Sequence, residues 1–212
     1  MVAIGGLPGK KIKASSPISI EFAANKAKMS AHITPHDILD FWYSEEMQGR
    51  WFSSTPVLDD EIRNKFESLW RKAAAGELDG WQETPDGCLA LAIVLDQLPL
   101  HMFRAKEKSF STEQQAVKIA RHAIEKGYDR LLPAGRLTFL YMPLMHSENL
   151  ADQDLSVRLF EAAKLESNLR FAQHHRELIR KYGRFPHRNR ILGRESTPEE
   201  IEYLASKEAF LG

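Results

Sequence analysis

The chain predicts an all-α fold built around a central buried helix. Three observations carry this reading. Hydroxyl–proline and hydroxyl–carboxylate pairs that start helices recur along the sequence, apolar residues between them repeat at helical spacing, and the alternation of a half-buried strand is nearly absent.

Residues 1–33 mix Gly, Pro, Lys and Ser without strong periodicity and are expected to form a flexible leader, with at most a helical turn over 21–28. Lys10, Lys11 and Lys13 precede the first acid, but no Arg comes before Arg50 and no apolar stretch follows the lysines. Neither an organelle transit peptide nor a secretory signal is therefore expected. A single helical domain is expected over 34–212. At Thr34-Pro35-His36-Asp37 a hydroxyl takes the N-cap, proline the first helical position and a carboxylate the first turn. Ile38, Phe41 and Trp42 form the apolar face of the helix that follows. Thr55-Pro56 repeats the device ahead of Ile62, Phe66, Leu69 and Trp70.

Cys88 to Leu95 is the longest apolar run in the chain, far short of the roughly 20 residues a membrane span needs. It fits either a buried strand or a helix, and its Ala and Leu content favours a central helix. Ser111-Thr112-Glu113-Gln114 predicts a capping box before Ala116, Ile119, Ala120 and Ala123. Leu155, Leu159, Phe160 and Ala163 mark a further face. Thr197-Pro198-Glu199-Glu200 starts a last helix carrying Ile201, Leu204 and Ala205. Trp42, Trp51, Phe52 and Trp81 are expected as core aromatics rather than a base-stacking platform.

The 29 basic and 29 acidic residues cancel, so a surface that coats nucleic acid is not expected. A single cysteine, Cys88, excludes an intramolecular disulfide and points to a reducing, cytoplasmic setting; inside its apolar run it reads as an inert core thiol. Charge is nevertheless uneven. From Arg170 to Arg194 there are seven Arg, one Lys and three His against one acid, Glu177. Such an excess needs an anion or a buried carboxylate opposite it.

Several polar groups could supply a site. Asp96 and Gln97 follow directly on the apolar run, so the carboxylate must be paired; Arg104 and the C-terminal arginines are the possible partners. His146-Ser147-Glu148, read as a loop, could act as acid and base or cap the next helix. In His174-His175 neighbouring side chains diverge by about 100°, so one of the two faces inward. Arg184, His187, Arg188, Asn189 and Arg194 could grip a small anion, or staple the C-terminal loop to Asp96 and Glu148. No H-E-x-x-H pattern or cysteine pair completes a metal site, and no cofactor is implied.

Together these segments resemble the bacterial proteins grouped as domain of unknown function 924. The resemblance lies in Asp40-Phe41-Trp42, Arg50-Trp51-Phe52, Leu89 through Pro99, Met102-Phe103-Arg104, Phe110-Ser111-Thr112, Met142 through Glu148, and Gly183 to Arg194 with Ser196-Thr197. It implies a tetratricopeptide-like array of antiparallel helix pairs and carries no established activity. The family pattern Pro-Arg-Asn is replaced here by Pro99-Leu100-His101, which removes a cation and an amide.

The functional expectation is a pocket in which Asp96, Gln97, Arg104, His146, Glu148, Arg184, His187, Arg188, Asn189 and Arg194 converge on a small anionic molecule or acidic peptide end. Two alternatives stand beside it. One is a hydrolase using His146 or His187 with Glu148 as acid and base. The other is a scaffold with a protein partner.

Overall fold

Threonine side chains cap four helices among the described residues. The computed structural model describes residues 33–210, so the leader expected over 1–33 lies, but for Ile33, outside the described residues. Thr34 caps α1 (Pro35–Trp42) with a complete capping box through Asp37. A short α2 (Glu45–Gln48) leads to α3 (Pro56–Ala74), whose cap Thr55 accepts the Leu58 N–H. Thr84 uses the same chemistry to start α4 (Pro85–Ala92). There Gly87 is required, because a Cβ would meet the Trp81 carbonyl oxygen at 1.9 Å.

The segment after α4 departs from α geometry. Ile93–Gln97 is a π turn, closed by the Leu98 N–H bonding to the Ile93 carbonyl, and α5 (Leu98–Met102) follows. The cause is in the sequence. Pro99 lacks the N–H that the Leu95 carbonyl would accept in an α-helix, and its ring crowds that carbonyl. The hydroxyl of Thr112 donates to Leu95 O instead, at 2.6 Å, and accepts from Trp70 Nε1 at 3.0 Å. This overturns the capping box expected at Ser111–Gln114. Thr112 stands at the N-cap of α6 (Glu113–Glu125) without bonding its first turn, since its oxygen is committed elsewhere.

The chain continues through α7 (Ala134–His146), α8 (Leu150–Ala162), α9 (Glu166–Tyr182) and α10 (Pro198–Ala205), the last with a full capping box between Thr197 and Glu200. Short links join α7 to α8 and α8 to α9, and each pair packs side by side. All the described secondary structure is helical, and α4 is central: it packs against α1, α6 and α7, and Gly87 through Ala92 are all buried. Cys88 lies in that core, and burial pushes its thiol up to about 11, as an inert sulfur requires.

Trp42 is fully buried, edge-on to Phe139 with ring centroids 5.3 Å apart. Phe52 corrects the expectation of a core aromatic: it is 75% exposed, with its ring 6.5 Å from that of Phe139. Among the described residues no helix is long and apolar enough to cross a membrane.

Candidate functional site

The π turn delivers Asp96 into the middle of the molecule, where it is 4% exposed. Its carboxylate accepts from Gln97 Nε2 and meets His146 Nδ1, 3.0 Å from each oxygen. His146 is the last residue of α7 rather than part of a loop, and buried Gln153 fixes that helix end by donating to the carbonyls of Met145 and Ser147. Burial opposes a charge on His146, yet the charge and hydrogen bond of Asp96 prevail and hold its pKa above the ordinary value. Nε2 has no hydrogen-bond partner among the described residues, and the side chain stays 18% exposed.

Arg188 lies beside this pair, on the turn Pro186–Arg188. Its Nη1 reaches both oxygens of Glu113, at 3.0 and 3.1 Å, and its guanidinium stacks between the rings of Phe110 and Phe185. Burial raises the pKa of Glu113, Arg188 opposes the rise, and Asp96 adds to it. Two carboxylates thus share one low-dielectric space with two cationic groups, and each charge has an opposite.

A second network adjoins the first. Glu148 takes both terminal nitrogens of Arg194, at 2.6 and 2.9 Å, and the Phe185 N–H at 2.8 Å. Burial works against the Glu148 charge, but the Arg194 bonds outweigh it and its pKa is lowered. Arg194 Nε donates to Asn189, whose amide donates to Ser196 and Glu200. Arg184 grips Glu200 with two bonds of 2.7 and 2.8 Å, which holds that carboxyl down at about 2. The forks of Arg184 and Arg194 are thereby filled by the chain's own carboxylates. Between the networks lie His175 and His187, flanking Phe185 with ring centroids 5.3 and 5.6 Å away. Burial, reinforced by the charge of His146, lowers His175 to about 3, and burial with Arg188 lowers His187 to about 4. His175 is the inward member of its pair, and His174 is exposed.

Of the residues expected to converge, Arg104 lies apart from both networks. It bonds Asp59 at 2.7 Å, together with Ser54, and His101 sits 3.4 Å from the same carboxylate. Asp96 is paired to His146 rather than to an arginine. Glu113, Glu200 and Asp59 were missed as partners. Glu113 and Glu200 read as helix-start residues, and nothing local in the sequence marks their distant arginines. Among the described residues no group of three or more His, Cys, Asp or Glu is arranged to hold a metal ion.

The family model described as bacterial protein of unknown function (DUF924) matches residues 38–208. The chain belongs to this family. The DUF924 match spans all the paired charges described above. A solved structure of a protein of unknown function from Agrobacterium tumefaciens is similar to this DUF924 chain, at 37% identity and a TM-score of 0.76, covering 81% of this chain and 96% of the other. No curated protein matches the sequence.

Proposed function

We propose that this DUF924 chain binds a small acidic group, a carboxylate or phosphate, at the outward nitrogen of His146. One observation carries the reading: Asp96 holds Nδ1 at 3.0 Å while Nε2 is unpartnered among the described residues and the side chain is partly exposed. A carboxylate behind an imidazole fixes its orientation and favours the protonated ring, leaving Nε2–H to donate forward. Arg188 adds positive charge nearby. The reading favours this imidazolium over the arginine clamp expected from sequence, because the forks of Arg184 and Arg194 are already filled. Titration with acetate and phosphate, followed by NMR of the histidine side chains, tests it. Saturable shifts at His146 are expected, weakened at least about tenfold in Asp96→Asn, the loss of roughly one charge-assisted hydrogen bond. Shifts absent at His146, or unaltered in Asp96→Asn, would sink the proposal.

The same pair supports a second reading, a hydrolase in which His146 is the acid or base and Asp96 its orienting group. Glu148, expected in that orienting role, is occupied by Arg194. Turnover of an ester or phosphate that vanishes in His146→Gln would favour catalysis over binding.

A further inference from the structure

A cavity of about 380 Å³ lies beside α9, lined by Arg170, Phe171, His174, Glu208, Ala209 and Phe210. One wall is the segment Glu208–Phe210. After α10 the backbone turns back on itself: the Glu208 N–H bonds to Ser206 Oγ at 3.2 Å, and the Phe210 N–H bonds to Tyr203 Oη at 2.8 Å. Among the described residues no hydrogen bond ties this strap to α9. Aromatic packing holds it there: the Phe210 ring lies 4.6 Å from the centroid of His175, 5.1 Å from His187 and 6.2 Å from His174, and the ring of Tyr203, which bonds the Phe210 N–H, lies 5.4 Å from that of Tyr182 on α9. The ring therefore lines the cavity and also covers one buried imidazole, His175, and one half-buried, His187. Both imidazoles feel the charge of His146.

We propose that Phe210 is a gate whose displacement joins the cavity to the histidine cluster and so to His146. The proposal rests on the reading of His146 as a binding site and adds its regulation. Contacts between rings are individually weak, so a strap held by a few rings and two hydrogen bonds opens more readily than a helix. Acid favours the open state. His175 faces His174 on its own helix, His146 from α7 and Arg188 from the turn beyond α9, all cationic or able to become so. His187 faces Arg188, Arg194 and His146, with Glu148 as the one opposing charge, and Glu148 is committed to Arg194. Each ring is therefore neutral while covered, and gains a proton more easily when water replaces Phe210. An imidazole that regains an ordinary pKa of about 6.5 on opening shifts the equilibrium toward open by up to about 30-fold at pH 5.

Carbethoxylation of individual histidines, read by mass spectrometry in the full chain at neutral pH, tests the gate. Phe210→Ala is expected to speed modification of His175 and His187 by about tenfold or more, as local opening rather than unfolding would. Phe210→Trp should restore the slow rate. Unchanged rates at both rings would overturn the proposal, and so would an equal acceleration at buried His101, which marks general loosening. Acetate titration followed at His146 in the same proteins separates the two ideas. An absent His146 response sinks the binding reading alone, whereas unchanged modification rates sink the gate alone.

Discussion

Thr112 shows how much can hang on one hydroxyl. It satisfies the Leu95 carbonyl that Pro99 leaves without a donor, and it accepts from Trp70, so three separate segments meet at one oxygen. A valine there keeps the shape and orphans both partners. Thr112→Val is expected to cost about 3 kcal/mol, the desolvation of two buried polar groups, while Thr112→Ser costs less than about 1 kcal/mol. Urea unfolding of the two variants measures the difference. The same residue marks a limit of local reading. Ser111-Thr112-Glu113-Gln114 has the letters of a capping box, but the partners that won lie 17 and 42 positions away. Glu113 was misjudged for the same reason: its companion Arg188 is 75 positions distant. Histidine 175 was half legible, since helical geometry required one of two neighbours to turn inward without saying which.

At the scale of elements, helix starts were the clearest text. Thr34, Thr55 and Thr197 cap as their spacing indicates, because a cap is settled within a few residues. Thr84-Pro85 carries the same signal and went unread beside the stronger apolar run after it. The π turn was not legible at all, although Pro99 was in plain view, since a proline can bend, end or widen a helix and packing selects among these. The turn has a functional reach. Pro99→Ala returns an N–H to Leu95, allows Ile93–Gln97 to relax to α geometry, and rotates Asp96 by about 100° away from His146. Left with burial and Arg188 and without its carboxylate, His146 should then titrate below its ordinary value of about 6.5. An NMR pH titration of that ring checks the outcome; a pKa still raised would separate the Asp96–His146 pair from the turn.

For the whole molecule, the interior histidines set the response to acid. His175 and His187 have pKa values of about 3 and about 4, against 6.5 unfolded. Between those values and 6.5 the unfolded chain binds more protons than the folded one, so stability falls as pH drops through this window. His146 has the opposite sign: its raised pKa contributes fully below 6.5 and is lost as pH climbs through the folded value. The thermal midpoint should therefore decline from about pH 6.5 to pH 4, and His187→Gln should flatten that decline. Calorimetry across the range decides this, and a midpoint insensitive to pH there would contradict the neutral state of both rings. The all-α class and the central helix were legible from composition and spacing. The internal use of the arginines was legible in part: a staple to Glu148 was one of two readings, while the partners Glu113 and Glu200 were not foreseen, because sequence shows charges but not which of them face each other.

That internal use bears on how the protein meets its surroundings. Arg184, Arg188 and Arg194 are clasped by Glu200, Glu113 and Glu148, so three arginines of the basic stretch are turned to the chain's own carboxylates. Mobile counter-ions, which act on hydrated charges over about 8 Å at physiological ionic strength, find little to screen at these pairs. Brine and polyphosphate alike should leave these three pairs largely indifferent.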